Sequence, residues 1–130
     1  MSIQSYRDLD VYQRAMKALV TAHQVPQSFP DYERFALADQ IRRASKLIPT
    51  NIAEGYGRRK SAKEFKHFLT ISLGSANEMI VHLEIIRELG YAPPEVCNSL
   101  IEEYTVVAKM LYRLIESWRS YPPRPEPTNR

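Results

Sequence analysis

From residue 65 to residue 86, Phe65, Leu69, Ser72, Ala76, Met79, Leu83 and Ile86 recur at alternating steps of four and three without a break. A helix, turning once in about 3.6 residues, puts such positions on one face; a strand would scatter them over both. Ser61-Ala62-Lys63-Glu64 precedes the run and reads as a capping box, the serine oxygen taking one free N–H and Glu64 returning to the cap. Gly90 supplies the stop. A helix ending at Leu89 is then about 42 Å long. One apolar face on so long a rod demands other helices of similar length beside it.

The rest of the chain supplies them. Asp8 reads as the cap of a first helix reaching Gln24, with Leu9, Tyr12, Met16, Leu19 and His23 as a heptad-like seam ended by Pro26. A second helix is expected from Asp31, whose seam is Leu37, Ile41, Ala44, Ile48 and Ile52, with Asn51 on or beside it. Pro49 inside that run predicts a kink, and Asn51 can fix register or bond the backbone that the proline frees. Gly55-Tyr56-Gly57 reads as its stop, with glycine taking the left-handed conformation. Pro93 or Pro94 opens a fourth helix to Trp118, with the seam Leu100, Tyr104, Val107, Leu111, Leu114 and Trp118. A second stripe beside it, Ile101, Ala108, Tyr112 and Ile115, predicts a further partner. Ser72, Gly74, Ser75 and Ala76 predict a close approach of another helix. The fold class is therefore all-α, an antiparallel up-down-up-down four-helix bundle over residues 1–121. Residues 122–130, with four prolines from Pro122 to Pro127, read as an extended, mobile tail.

A hydrophobic content of 44% over 130 residues suffices for one domain with a real core. No apolar run approaches a membrane span, and the first ten residues do not resemble a signal peptide. The one cysteine, Cys97, excludes an intramolecular disulfide and suits a reduced, cytoplasmic compartment. The net charge is +3, but residues 34–66 hold nine basic side chains against three acidic ones. That segment is +6 and the remainder −3. Such asymmetry marks an anion-binding surface, made of Arg42, Arg43 and Lys46 on the second helix and Arg58, Arg59, Lys60, Lys63 and Lys66 around the next turn. Arg42 and Arg43 project about 100° apart, so one is expected to pair with an acid such as Glu78 and the other to meet an anion.

The order of short motifs along the chain is similar to that of a known family. Phe29-Pro30, Glu33-Arg34-Phe35, Gln40-Ile41-Arg42-Arg43-Ala44, Asn51-Ile52-Ala53-Glu54-Gly55 and Gly57-Arg58 come first. Phe65, Phe68-Leu69, Gly74-Ser75, Glu78 and Leu89-Gly90-Tyr91 follow. Together they resemble the four helix bundle protein family, also called the 23S rRNA intervening-sequence protein family, over residues 7–118. Pro49 and Thr50 depart from the expected helix formers there. The resemblance extends to accessory proteins of diversity-generating retroelements, which form five-fold rings and associate with nucleic acid and a reverse transcriptase. It thus implies a pentameric homo-oligomer that meets RNA or DNA and a nucleic-acid-processing protein.

Catalytic constellations are missing from the pattern. His23, His67 and His82 form no Cys or His set at metal-ligand spacing, and the single Glu-x-x-His, Glu64 to His67, is not repeated on a second helix as a di-iron bundle site requires. Gly55-x-Gly57 lacks the preceding strand and third glycine of a dinucleotide fingerprint. No cofactor and no metal are implied. The expectation is a non-enzymatic protein that binds nucleic acid through the basic surface; the alternative is a protein–protein assembly module in which that surface is a solvated rim.

Overall fold

Helix-forming runs separated by proline, glycine and short polar turns leave few ways to fold, and the chain takes the expected one. The computed structural model describes residues 3–33 and 35–119, so Arg34 and the tail 122–130 lie outside the described residues. Four helices, α1 (Asp10–Ala22), α2 (Ala36–Gly57), α3 (Ala62–Leu89) and α4 (Pro94–Ser117), account for most of it, and there is no strand among the described residues. Short 3-10 turns occupy Tyr6–Asp8, Val25–Ser28 and Asp31–Glu33.

Cross-helix contacts fix the directions. Arg43 meets Glu78, the Ser72 hydroxyl reaches the Ile48 carbonyl, and Gly55 abuts Phe68, so α2 and α3 run oppositely. Arg87 bonds Asn98 while Phe65 meets Trp118 edge to face, which sets α3 against α4. Arg14 pairs with Glu103 and His23 with Ser45, closing α1 onto α4 and α2. The core is a single cluster of buried aliphatic side chains with Phe65, Tyr56, Tyr104 and Phe29 among them.

α3 buries all seven positions of its four-three repeat, together with Ser75. Gly90 ends it in the left-handed conformation at φ 71°, and the Tyr91 N–H reaches back to the Ile86 carbonyl, 3.0 Å. Ser72 does lie where α2 comes close, but Gly74 is exposed, and a Cβ added there would meet nothing within 4 Å.

α1 differs from expectation by one residue, about 100° of rotation. Its buried face is Val11, Ala15, Ala18 and Ala22, while Tyr12 and Leu19 are half-buried and Met16 is exposed. Small side chains let α1 lie close to its neighbours, so the larger apolar residues flank the contact. Asp8 caps the preceding turn and not α1: its carboxylate accepts from the N–H groups of Gln4 and Ser5. α2 begins at Ala36, five residues later than Asp31, because the acidic stretch forms its own 3-10 turn. The helix runs on through Pro49. Around it three successive carbonyls take side-chain donors: Lys46 from Thr50 at 2.8 Å, Leu47 from Asn51 at 2.7 Å, and Ile48 from Ser72 at 2.9 Å. Asn51 therefore serves the Leu47 carbonyl and not that of Ser45, which Pro49 frees.

The second stripe of α4 is half-buried against the bundle. Ile101, Ala108 and Ile115 pack against the core, and only Tyr112 of that stripe stays exposed. α3 carries four uncovered apolar side chains, Ile71, Val81, Ile85 and Leu89, each 38–54% exposed, while Met16 and Val20 on α1 and Val96 and Tyr112 on α4 are uncovered as well. Spacing places Val81 and Ile85 opposite the buried face of α3, with Ile71 and Leu89 at its flank. Among the described residues no helix is long and apolar enough to cross a membrane.

Candidate nucleic-acid interface

The corner between α2 and α3 is set by a close approach. A Cβ on Gly55 would stand 2.8 Å from the Phe68 Cβ, 3.0 Å from Phe65 Cδ1 and 3.3 Å from the Phe65 carbonyl. Glycine is required here for room, since neither Gly55 nor Gly57 has positive φ. α2 instead ends through Arg58, at φ −106° and ψ 18°. Ser61 caps α3 by accepting from the Glu64 N–H, 3.2 Å. Only this half of the capping box forms. The Ser61 N–H turns to the Arg58 carbonyl, 3.1 Å, and the Glu64 carboxylate accepts from the Arg58 guanidinium, 3.1 Å.

This diverts two of the basic residues. Arg58 lies between Glu64 and Glu54, the latter at 3.5 Å, and over the Phe68 ring. Arg59 lies over the Tyr56 ring, 4.0 Å to its centroid, and donates to the Tyr56 carbonyl. Lys60 and Lys63 are exposed and Lys66 half-buried, and none of the three makes an ion pair among the described residues. They are the charges at this corner available to an anion.

Arg42, Arg43 and Lys46 do not join them. They lie about 20 Å back along α2. The pairing expected of one arginine falls to Arg43, whose guanidinium is 3.2 Å from Glu78; the same carboxylate oxygen meets His82 Nε2 at 3.0 Å. Arg42 and Lys46 turn toward α1, where they and burial hold the His23 imidazole below its usual pKa, burial contributing most. The basic segment thus splits into a corner group and a group flanking α1.

The fold adds cations that lie far away in sequence. Trp118 packs edge-on against Phe65 at 4.7 Å, which carries Arg119 to the corner end of the bundle. Arg113 shares a cleft of about 600 Å³ with Leu9, Asp8 and Asp10, and Arg7 sits over the Tyr6 ring at that end. No sequence signal for these existed beyond helix length and direction, which together place the end of α4 beside the start of α3. The opposite end carries Asp31, Glu33, Asp39, Glu88 and Glu95, with Tyr32 and Phe35 almost bare, at 77% and 78% exposure.

A Ser–His contact occurs, but it is structural. The buried Ser45 hydroxyl donates to the Arg42 carbonyl, 3.0 Å, so it accepts from His23 Nε2, 3.2 Å. A nucleophile and its base need the opposite polarity. Among the described residues no three of His, Cys, Asp and Glu gather closely enough to hold a metal ion. Cys97 is fully buried, and burial pushes its thiol pKa up.

The profile of the 23S rRNA-intervening sequence protein family matches residues 7–113. No curated protein matches the chain. Among solved structures, a protein of unknown function from the S23 ribosomal protein family of Bacteroides thetaiotaomicron is similar, with a TM-score of 0.75 and 25% identity. The likeness covers 82% of this chain and 99% of that one.

Proposed function

The chain belongs to the 23S rRNA-intervening sequence protein family, and from that premise we propose that it is a non-enzymatic, oligomeric bundle that binds RNA or DNA through the basic end. The observation that carries this is the set of uncommitted lysines, Lys60, Lys63 and Lys66, at an end where Arg113, Arg119 and Arg7 also arrive. Flexible ammonium groups meeting phosphates give salt-dependent, largely sequence-independent affinity. The family resemblance supports a ring of five and a nucleic-acid-processing protein as a further partner, in the cytoplasm. The four exposed apolar side chains of α3, with Tyr112 on α4, are the surface that supports self-association.

A gel shift across a salt series tests this. Lys60, Lys63 and Lys66 changed together to Ala should flatten the slope by about 0.7–0.9 per lost phosphate contact. Changing Arg58 and Arg59 should do less, because their charges are already engaged. Absence of binding at low salt would leave the second reading, an assembly module without nucleic acid, which the exposed Ile71, Val81, Ile85 and Leu89 favour. Light scattering that gave only the 15.1 kDa monomer would refute self-association in either case.

A further inference from the structure

The side chains that the sequence assigned to the core face of α1 border a groove instead. Tyr12, Met16 and Leu19 make one wall, Lys46 and Pro49 the other, and Tyr6 closes the end nearest the basic corner. The groove holds about 330 Å³. Its lining is aromatic and aliphatic apart from Lys46 and Thr50, and among the described residues no carboxylate lines it. The α1–α4 cleft, by contrast, carries Asp8 and Asp10.

Two features suit this groove to unpaired bases. The Tyr6 and Tyr12 rings meet edge to face, 5.0 Å between centroids and 74° between planes, which holds both in place. Tyr12 is only half-buried, so it presents aromatic surface to the groove. Positive charge borders the groove: Lys46 on its wall, Arg42 one turn back along α2, and Arg7 over the Tyr6 ring at 4.6 Å. The depressed pKa of His23 reports the same positive surroundings, since Lys46 and Arg42 contribute to it after burial. Aromatic rings interleaved with cations in a groove are how proteins hold single strands, because every base has a face to stack and every nucleotide a phosphate. A duplex hides those faces and is too wide to enter between two packed helices.

We propose that the α1–α2 groove is a track for single-stranded nucleic acid, in which Tyr12 stacks a base while Lys46 and Arg42 meet phosphates. This rests on the nucleic-acid reading above and names the form of nucleic acid and the place.

Fluorescence anisotropy of the full chain with labelled oligouridylate, and with a duplex of equal length, tests it. Tyr12→Leu keeps an apolar wall but removes the ring; it should weaken oligouridylate binding about 5- to 150-fold, the loss expected for one stacked base, and leave the duplex within about two-fold. Tyr12→Phe keeps the ring and should bind like the parent. Lys46→Ala should lower the oligouridylate salt slope by about 0.7. Parent binding with no loss in Tyr12→Leu overturns the track and leaves the nucleic-acid reading standing. Parent failure to bind either probe at low salt overturns both. If Tyr12→Leu does not fold, an unchanged salt slope in Lys46→Ala overturns the track by itself. A lower oligomer mass in Lys46→Ala, with oligouridylate binding intact, would make the groove a contact between copies and also overturn it.

Discussion

Changing Gly55 to Ala pits two calculable effects against each other. Alanine is favoured over glycine inside a helix by about 1 kcal/mol, and Gly55 has ordinary helical backbone, so propensity alone predicts a more stable protein. The added methyl, however, would stand 2.8 Å from the Phe68 Cβ, where ordinary contact begins at 3.4 Å. That neighbour is a Cβ rooted in the α3 backbone and cannot swing aside as a side-chain tip would. α3 is also held to α2 by the buried Ser72–Ile48 bond and the Arg43–Glu78 pair. Overpacking of this kind costs about 1–3 kcal/mol, so the net effect should be a loss of about 1 kcal/mol. Gly57 is the internal control, because a Cβ there meets nothing within 4 Å. Gly57→Ala should gain up to about 1 kcal/mol. Urea unfolding followed by helical circular dichroism gives both numbers, with the slope m unchanged if only stability has moved. If Gly55→Ala proved as stabilising as Gly57→Ala, the claim that glycine is there for a close approach would be wrong.

Three further outcomes are expected. His23 has a depressed folded pKa, so its contribution to stability is full above its unfolded value of 6.5 and falls as pH drops below it, when the unfolded chain takes the proton first. His23→Gln, which can still donate to Ser45, should show a shallower fall of melting temperature below pH 6.5 than the parent; identical profiles would remove His23 as the cause. The Tyr104 hydroxyl is fully buried with no partner among the described residues, so Tyr104→Phe should raise stability by about 1 kcal/mol in urea. A loss would show that the hydroxyl is bonded after all. Cys97, buried and with a raised pKa, should react with a thiol-specific dye only at the rate of unfolding; fast labelling of the native protein would contradict its burial.

The helices are legible where large side chains keep the repeat. α3 shows its whole buried face in sequence because Phe65, Leu69, Met79, Leu83 and Ile86 mark it. α1 departs by one residue because its buried face is three alanines and a valine, outweighed in size by Tyr12, Met16 and Leu19 alongside. Size signals burial only when helices stand far enough apart to need filling. Gly55 reads as a stop because a glycine after a helical run usually is one; its true reason is Phe68, thirteen residues on, which no local pattern reveals. The basic corner is half legible. Sequence counts charges, but whether each is available depends on what faces it, and Glu54 and Glu64 both face Arg58. Likewise the second stripe of α4 carries no sign that α3 exposes Ile71, Val81, Ile85 and Leu89.

The spacing of the α2–α3 contacts has a consequence for the order of assembly. Gly55 meets Phe65 ten residues away, and the Ser72–Ile48 bond spans twenty-four, so each closes a short loop at small entropic cost. The Arg14–Glu103 pair spans eighty-nine residues and gains only after most of the chain is in place. We therefore expect the α2–α3 hairpin to be formed in the folding transition state, with α1 docking late. Ser72→Ala should then slow folding, while Ala15→Gly and Ala18→Gly on the buried face of α1 should mainly speed unfolding. Comparable φ-values at the two places would show that the helices condense together.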